Sequence, residues 1–325
     1  MKAIAIKEAG PANTLKIVEL PIPDPQENEV VIKQSHAGVN YGDVIRRKRG
    51  LFEVNETGYY VPGFEGVGII ASVGKNVTDL QVGDRVAYLN SQNGGYGQFV
   101  SVAQEAVYRV PQSIQDETAA GMTCVGLTAW HLLRLSGASN NDFVIVHGAT
   151  GGVGLVLTQL CLLKGIKVIA IVGTQDKKEF LNRYNPTETI VRNEVDVADK
   201  VKSLTDGQGV TAIFDCVGEA VLDINMNSIK KGGTILYYGS TSGHSSFPGL
   251  QILMNSLRVQ GFNIFNLIQN KGEWQKGLQE FTNLLAQNNI EIFINETFKL
   301  AEAYKAHELL ENRQSTGKLI LDLRE

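Results

Sequence analysis

Phe143-Val-Ile-Val-His-Gly-Ala-Thr-Gly-Gly-Val-Gly154 is a short β-branched run that leads directly into a turn rich in glycine. Residues 144–146 predict a buried strand, and the apolar run 155–163 after the glycines predicts a helix. Strand, glycine turn and helix in this order bring backbone N–H groups and a helix N-terminus against a pyrophosphate. The glycines at 148, 151 and 154 depart from the stricter G-x-G-x-x-G spacing, so an ordinary strand–helix turn stays open as an alternative at this point.

Length and composition are those of an ordinary globular protein. The chain has 325 residues, of which 43% are hydrophobic, and a formal net charge of −4, so neither nucleic acid nor a membrane surface is indicated as a partner. No apolar run approaches the ~20 residues that span a bilayer, and the N-terminus alternates like a strand rather than a signal sequence. The three scattered cysteines, Cys124, Cys161 and Cys216, favour a reducing cytoplasm over a disulfide frame or a metal cluster.

The elements on either side of the glycine turn predict two domains. Residues 1 to about 120 consist of short alternating runs between proline, glycine and asparagine, which predict a small barrel or rolled sheet. Helical spacing appears over 116–123 and 126–135, and strands then alternate with helices, as in a doubly wound parallel sheet. The tail returns to mixed structure, with a strand expected over 291–298. We therefore expect a nucleotide-binding domain at 124–263, inserted in a domain made of residues 1–123 and 264–325, with the ligand site in the cleft between them.

The end of the second strand of the inserted domain indicates which dinucleotide binds. An acid at this tip usually bonds the adenosine ribose of NAD, whereas a cation suits the 2′-phosphate of NADP. Here Thr174 offers a hydroxyl group and Lys177 a charge, and Arg192 follows the third strand, which we expect beside the second. We predict NADPH, and Asp176 is the discordant residue. The alternative is a solvated helix start in which Asp176 favours the N-terminal end of the helix dipole.

Short motifs are spread over nearly the whole chain. They are Gly38-Val-Asn-Tyr-Gly-Asp43, Pro62-Gly-Phe-Glu-Gly-Val-Gly68, Val82-Gly-Asp-Arg-Val86, Gly94-Gly-Tyr-Gly97, Gly126-Leu-Thr128, the glycine turn, Phe214-Asp-Cys-Val-Gly218, Gly232-Gly-Thr234, Ala306-His307 and Gly317-Lys-Leu-Ile320. In this order they resemble the zinc-free, zeta-crystallin-like quinone oxidoreductases of the medium-chain dehydrogenase/reductase superfamily. The resemblance implies an α/β fold in which a Rossmann domain is inserted in a GroES-like β-barrel domain formed by both chain ends.

The resemblance also implies that no metal takes part. Phe64 stands where zinc-dependent relatives carry a histidine, and residues 39–40 stand where they carry a catalytic cysteine. The four-cysteine lobe of those relatives is absent as well. Because a tetrahedral zinc site requires thiolate and imidazole ligands, zinc chemistry of the alcohol dehydrogenase type is excluded.

Site residues follow from the family motifs. The resemblance places Asn40 near the nicotinamide as a hydrogen-bond donor to the acceptor oxygen, with a loop-capping asparagine as the alternative. Tyr41 is a second donor or a core residue, and Asp43 orders the loop. Toward the cofactor we expect Thr128, Gly148, Gly151, Gly152, Val153, Gly239, Ser240, Phe262, Phe265 and Lys318, in addition to Thr174, Lys177 and Arg192. Lys318 could equally be a surface lysine with a buried stem. We expect Cys124 to be a buried, inert thiol and the histidines to be structural or on the surface. His147 is the candidate exception, because it directly precedes the glycine turn.

The expected reaction is hydride transfer from NADPH to a quinone or to the β-carbon of an α,β-unsaturated carbonyl. A 2-enoyl thioester as substrate, or a protein that binds NADPH with little turnover, are the alternatives. Ile45 and Phe52 occupy places where such quinone reductases often carry tyrosines. The basic run at 46–49 is expected to be a solvated face, and attraction of an anionic substrate such as a CoA thioester is the alternative. The resemblance further implies a homodimer that pairs through the edge strand at 258–262. From the cysteines and the net charge we expect a cytoplasmic protein with no nucleic acid or membrane partner.

Overall fold

The computed structural model describes residues 1–92 and 94–324 and divides the chain into two compact units. Unit 1 is formed by both ends of the chain, with residues 1–125, 265–288 and 292–325. Unit 2 is formed by the middle of the chain, with residues 126–264 and 289–291.

The strands are, in chain order, β1 (Lys2–Ala5), β2 (Lys16–Glu19), β3 (Glu29–Val39), β4 (Glu65–Val73), β5 (Arg85–Leu89), β6 (Phe99–Ala103), β7 (Val107–Arg109), β8 (Phe143–His147), β9 (Lys167–Val172), β10 (Glu188–Val191), β11 (Val210–Asp215), β12 (Ile229–Tyr237), β13 (Arg258–Gly261), β14 (Ile294–Lys299) and β15 (Lys318–Asp322). The α-helices are α1 (Tyr41–Arg49), α2 (Asp116–Ser136), α3 (Gly152–Leu163), α4 (Gln175–Leu181), α5 (Val197–Leu204), α6 (Leu222–Ser228), α7 (Gly249–Met254), α8 (Phe265–Ile268), α9 (Lys271–Ala286) and α10 (Ala303–Glu311).

Unit 1 is built on a sheet whose strands come from both chain ends. In the described residues the order is β14-β15-β3-β4-β5-β7, and β6 pairs with β3. The long strand β3 thus has three partners, and it ends at Val39, directly before Asn40. Strand β15 pairs with β3 at the same end, with Leu319 opposite Val39. This pairing places Lys318 beside Asn40, although the two residues lie at opposite ends of the sequence.

Unit 2 is a parallel sheet flanked by helices. Its described strands are ordered β10-β9-β8-β11-β12-β13, and each neighbouring pair runs parallel. The β-branched run 144–146 forms the buried centre of β8, as predicted. The strand order reverses between β8 and β11, and ligands of open α/β sheets bind outside the carboxyl ends of the strands at such a point. The predicted α/β class with a doubly wound parallel sheet is confirmed.

Three elements differ from the sequence-based prediction. Helix α2 is continuous through residues 124–125, because burial of most of its length outweighs the weak helix propensity of its glycines. Helix α3 begins at Gly152 rather than at Leu155, so two of the turn glycines belong to the helix. The strand expected from residue 291 begins only at Ile294. Both backbone groups of Glu291 are bonded by the side chain of Gln159, which removes them from the sheet.

In the part of the chain that the structure describes, no helix is both long enough and apolar enough to cross a membrane.

Candidate functional site

The loop between β8 and α3 is shaped by the absence of side chains. Gly148 has a φ of +59°, a conformation that L side chains rarely adopt. A Cβ on Gly154 would lie 2.3 Å from the backbone oxygen of Gly148, so only glycine allows the first turn of α3 to pack this closely. Gly151 is the N-cap residue of α3, and its N–H donates to Gly148 O at 2.8 Å. The N–H groups of Gly152 and Val153 follow at the positive end of the helix, where an anion is stabilised.

The carboxyl ends of β11 and β12 lie against the same loop. A Cβ on Gly148 would lie 3.0 Å from Sγ of Cys216, and a Cβ on Gly239 would lie 2.8 Å from Cys216 O. Asp215 fixes the turn after β11, because its Oδ1 accepts the N–H groups of Val217 at 2.7 Å and Gly218 at 2.9 Å. The structure therefore brings the predicted residues Gly239 and Ser240 to the same edge of the sheet as the glycine loop. A cradle of this kind, which Cβ atoms would fill, fits a pyrophosphate.

His147 belongs to the framework of this edge. Its Nε2 lies 2.7 Å from Oδ1 of Asn225, whose Nδ2 donates to Asp215 at 2.8 Å. Burial lowers the pKa of His147, so the ring is neutral and Nε2 carries the proton that Asn225 accepts. His147 thus links β8 to α6 and to the Asp215 turn.

The residues predicted to choose the cofactor lie at the ends of β9 and β10. Thr174 is the exposed N-cap residue of α4, and Lys177 lies in the same helix. The backbone N–H of Arg192 donates to Val172 O at 3.0 Å, which places Arg192 at the tip of β9. Asp176, the discordant residue of the sequence, lies in the first turn of α4, where the helix dipole favours a carboxylate, as the alternative interpretation expected.

Three further predicted residues are divided between the units. Thr128 is buried in the part of α2 that belongs to unit 2. Phe262 follows β13, donates its N–H to Tyr237 O and stacks on His131 with the ring centroids 5.8 Å apart. Phe265 belongs to unit 1, where it packs edge-on against Phe64 at 5.1 Å. The structure therefore does not bring Phe262 and Phe265 together within one unit.

In unit 1 the side chain of Asn40 is held between two charges. Asn40 is the N-cap residue of α1. Its Oδ1 accepts a hydrogen bond of 2.6 Å from Nζ of Lys318, and its Nδ2 donates to Oε1 of Glu65 at 3.0 Å. Because an ammonium group only donates and a carboxylate only accepts, the two partners fix the orientation of the amide. Tyr41 follows as the first residue of α1, with a half-buried side chain.

Lys318 and Glu65 form a buried ion pair. Nζ lies 2.6 Å from Oε1, and the two side chains are 3% and 0% exposed. Nearby glycines make room for them, because a Cβ on Gly121 would lie 2.8 Å from Cγ of Lys318 and one on Gly38 would lie 2.7 Å from Oε1 of Glu65. The alternative of a surface lysine is therefore wrong. The sequence assigned Lys318 to the cofactor, and in the structure its ammonium group bonds Asn40 and Glu65.

Asp43 ties the start of α1 to its surroundings. Its Oδ2 accepts the N–H of Asn40 at 2.9 Å and the hydroxyl group of Tyr96 at 3.2 Å, and its Oδ1 accepts the N–H of Gly63 at 3.1 Å. Complete burial raises the pKa of Asp43 to about 7, although these hydrogen bonds and the charge of Lys318 act to lower it. Asp43 therefore holds the backbone on which the Asn40 side chain depends.

The hydrogen bonds continue from Asp43 to helix α10. The Tyr96 hydroxyl group lies 3.0 Å from Nε2 of His307, and Nδ1 of that ring accepts the Nε–H of Arg47 at 3.3 Å. Burial, with the Arg47 charge beside it, lowers the pKa of His307 to about 3, so the ring is neutral. Because Nδ1 accepts, the ring proton sits on Nε2 and is donated to Tyr96, which in turn donates to Asp43.

The basic run of α1 is only partly a solvated face. Arg47 is 0% exposed and donates to Gly10 O and to the carboxylate of Glu311. The expectation of a solvated face is therefore wrong for Arg47, which α1 turns toward α10. Lys48 is exposed and also pairs with Glu311, at 3.0 Å. Arg49 is exposed, and Arg46 is half-buried.

Phe64 fills the position at which zinc-dependent relatives carry a histidine. A Cβ on Gly42 would lie 2.6 Å from Cε2 of Phe64, so the ring packs directly on the first turn of α1. Cys124 donates its N–H to Glu65, and burial raises the pKa of its thiol to about 12. Over residues 1–92 and 94–324, no group of three or more His, Cys, Asp or Glu side chains is arranged to hold a metal ion.

Sequence reasoning did not identify the hydrogen-bond or ion-pair partners of Glu65, Tyr96, His307 or Arg47. The first three stand in motifs that carried the family resemblance. The motifs therefore mark these residues, but they do not indicate which residues they contact. Their partners are distant in sequence: Glu65 and Lys318 are separated by 253 residues, and Arg47 and Glu311 by 264.

Similarity to known proteins extends over nearly the whole chain. Residues 152–283 match the family described as zinc-binding dehydrogenase, and residues 26–112 match the alcohol dehydrogenase GroES-like domain. A probable quinone oxidoreductase of Schizosaccharomyces pombe is 34% identical over 321 residues, which cover 98% of this chain and 96% of that protein.

Two solved structures are similar in fold. The Escherichia coli quinone oxidoreductase in complex with NADPH has a TM-score of 0.93 and 28% sequence identity, and the match covers 99% of this chain and 100% of that one. A 2-haloacrylate reductase has a TM-score of 0.89 and 26% identity, and the match covers both chains completely.

Proposed function

Because the chain belongs to the quinone oxidoreductase family of the medium-chain dehydrogenase/reductase superfamily, we propose that this oxidoreductase is a zinc-independent, NADPH-dependent reductase of quinones or α,β-unsaturated carbonyls. The observation that carries the proposal is the fixed Asn40 amide of unit 1. A primary amide has two N–H groups, and Glu65 takes one of them. The other N–H is the donor that we assign to the oxygen of the acceptor.

The chemistry assigns separate tasks to the residues. When bound, NADPH supplies a hydride to an electron-poor carbon, and negative charge grows on the oxygen conjugated to that carbon. Asn40 donates to this oxygen, and an oriented donor of this kind is worth roughly 2.7–4 kcal/mol of transition-state stabilisation. Lys318 bonds Asn40 Oδ1, so it polarises the amide toward stronger donation. The Tyr41 hydroxyl group is a second candidate donor.

The residues of unit 2 fit NADPH better than NADH. The pyrophosphate would lie at the N–H groups of Gly151, Gly152 and Val153. Arg192 at the tip of β9 would bind the 2′-phosphate with its guanidinium fork, with Thr174 and Lys177 beside it. The E. coli enzyme that resembles this chain was solved with NADPH. We further assign Thr128, Gly148, Gly239, Ser240, Phe262 and Phe265 to the cofactor surface.

The side chains near Asn40 are not suitable zinc ligands. Phe64 replaces an imidazole, and the Cys124 thiol is neutral because its pKa is raised to about 12. Zinc is held by thiolate, imidazole or carboxylate ligands, and the Glu65 carboxylate is already paired with Lys318. The three cysteines are free thiols, which supports our placing the protein in the reducing cytoplasm.

An α,β-unsaturated acid or thioester is a second candidate for the acceptor. The similarity to a 2-haloacrylate reductase favours it, because an acrylate carries a carboxylate conjugated to the double bond. The same Asn40 donor would serve either acceptor. Only the substrate differs, and the two candidates are separated by rates with matched acceptors.

The edge of the unit 2 sheet supports a homodimer. Strand β13 is the last strand of the sheet, and α7 beside it in the sequence exposes Leu250, Leu253 and Met254, each more than 70% accessible. Open strand edges and exposed apolar side chains are typical of association surfaces. We assign this surface to a second copy of the chain, and Leu253→Glu should shift the mass measured by analytical ultracentrifugation from dimer to monomer. A wild-type protein that sediments as a monomer would exclude the dimer.

The function is tested by NADPH and NADH oxidation against a panel of quinones and enones. We expect a clear preference for NADPH, and Asn40→Ala should lower kcat by roughly 10²–10³-fold because the donor to the acceptor oxygen is lost. The NADPH dissociation constant, measured by fluorescence titration, should change far less. Asn76→Ala, a surface asparagine of unit 1, is the control and should leave both values unchanged. An unchanged kcat in Asn40→Ala would remove Asn40 from the mechanism, and a preference for NADH would refute the assignment of Arg192.

A further inference from the structure

Arg46 is held over a pair of aromatic rings in unit 1. Its guanidinium carbon lies 4.7 Å from the ring centre of Phe64 and 5.9 Å from that of Phe265. The two rings meet edge to face, 5.1 Å apart and at 74°. A guanidinium group over aromatic faces is attracted by the ring electrons and loses much of its rotational freedom. Nη1 also donates to Ser91 O at 3.2 Å, so the group is fixed from a second side.

Arg46 differs from Arg47 and Lys48 in that no carboxylate in the structurally described part of the chain balances its charge. Arg47 and Lys48 share the carboxylate of Glu311, whereas no acidic side chain of the described residues lies within ion-pair distance of Arg46. Arg46 is half-buried, so part of it faces solvent. A guanidinium group has five N–H donors in a planar fork that matches a carboxylate or phosphate, and one of them is used by Ser91.

The position of Arg46 relates it to Asn40. Long side chains in a helix lean toward the preceding turn, so Arg46 covers the turn that starts at Gly42. Phe64 packs on Gly42 and is followed directly by Glu65, which bonds the Asn40 amide. Arg46 and Asn40 are therefore linked through two consecutive residues, because Phe64 lies beneath the Arg46 guanidinium group and Glu65 bonds the Asn40 amide. The Cα atoms of Asn40 and Arg46 are separated by six residues, or about 9 Å along the helix axis.

We infer that Arg46 binds an anionic group of the acceptor, a carboxylate or a phosphate, while Asn40 bonds the oxygen of its reducible carbonyl. This inference rests on the proposed function and narrows it, because it makes the preferred substrate an anionic enone or quinone. The aromatic rings beneath the cation contact the apolar part of the same molecule. Arg46 is then the residue that determines specificity, and the fully buried Arg47 has no part in binding.

Matched acceptors test the inference. The pair is 4-(4-carboxyphenyl)-3-buten-2-one and its methyl ester, which share the reducible group and differ in charge. The aryl phosphate analogue is the third probe and distinguishes the two oxyanions. The measured quantity is the ratio of kcat/KM for the anion to kcat/KM for the ester within each protein, so a partly inactive variant does not distort it.

For the wild type we expect a ratio of roughly 10 to 100 for at least one anion, the usual strength of a hydrogen bond to a charged partner. Arg46→Gln should bring this ratio close to one. Arg49→Gln removes the same charge from the exposed end of the helix and should keep the wild-type ratio. A wild-type ratio near one for both anions, or an equal loss in both variants, would overturn the inference, since the effect would then be absent or a general effect of net charge.

Direct binding separates this inference from the proposed function. Isothermal titration of the protein with the carboxylate and with the ester should show tighter binding of the carboxylate, and this difference should disappear in Arg46→Gln. If no acceptor is reduced but this difference is found, the proposed function fails and the Arg46 site stands. If acceptors are reduced but carboxylate and ester bind equally, the Arg46 site fails and the reductase stands.

Discussion

The candidate sites of unit 2 and unit 1 depend on different structural features. In unit 2 the glycines at 148 and 154 allow the loop to pack closely, and its candidate binding groups are backbone N–H groups. In unit 1 Asn40 is set between the buried charges of Glu65 and Lys318. We therefore expect the candidate site of unit 2 to be sensitive to added side-chain atoms, and that of unit 1 to be sensitive to the loss of a charge. The comparison therefore predicts which kind of substitution harms each unit.

The largest effect is expected from removing one partner of the buried ion pair. Lys318→Met leaves Glu65 buried without its cation, and loss of one partner of a buried pair costs about 3–5 kcal/mol of the free energy of unfolding. Urea unfolding measures this value. The double variant Glu65→Gln with Lys318→Met should recover part of the loss, because no unpaired charge is left.

Lys305 provides the control for Lys318. It pairs with Glu302 at 2.6 Å in the same unit, but the two side chains are 47% and 36% exposed. Exposed ion pairs contribute little to stability, so Lys305→Met should unfold at nearly the wild-type urea concentration. Equal losses in Lys318→Met and Lys305→Met would show that burial of the pair does not matter.

A smaller effect is expected from adding one methyl group in unit 2. Gly154→Ala places a Cβ against the backbone oxygen of Gly148, and overpacking of this kind costs roughly 1–3 kcal/mol. The displaced loop should also weaken NADPH binding, measured by fluorescence titration. Gly249→Ala is the control, because a Cβ there meets no atom within 4 Å. Unchanged NADPH binding in Gly154→Ala would show that the glycine loop does not take part in cofactor binding.

The smallest net effect is expected for the pH dependence of the hydrogen-bond network in unit 1, because two contributions to stability oppose each other. The folded pKa of Asp43 is about 7, above its ordinary value of 3.8, so its contribution to stability falls as the pH rises from about 4 to 7. The folded pKa of His307 is about 3, below its ordinary value of 6.5, so its contribution falls as the pH drops below 6.5. The two contributions therefore oppose each other between pH 4 and 6.5.

Single variants should separate the two contributions. From pH 5 to pH 7 the stability of the wild type should fall by roughly 2 kcal/mol relative to Asp43→Asn and rise by roughly 2 kcal/mol relative to His307→Gln. Urea unfolding at several pH values measures both differences. If the stability difference between wild type and variant changed with pH in the same direction for both variants, the charge states assigned to Asp43 and His307 would be contradicted.

The sequence predicted unit 2 better than the site of unit 1, for a physical reason. The run 143–154 and the alternation of strands and helices are local patterns, and the α/β fold class and the family resemblance that followed from them are confirmed. The orientation of Asn40 depends on Lys318, 278 residues away, and no local pattern indicates that pairing.

Residues 46–49 show the same limit at the scale of one helix. Four successive cations predict a solvated face, yet the turn of α1 directs Arg47 inward to Glu311 and Arg46 onto Phe64. Side chains one position apart on a helix point in different directions, and which of them is buried depends on what packs against the helix. The tertiary neighbours that decide this lie elsewhere in the sequence.

The most direct test is NADPH oxidation by protein that has been dialysed against a strong chelator and assayed with a quinone and an enone. Our account predicts that the dialysed protein oxidises NADPH with at least one acceptor at the rate of the untreated protein. Binding of NADPH without oxidation on every acceptor, or activity that returns only when zinc is added, would contradict it.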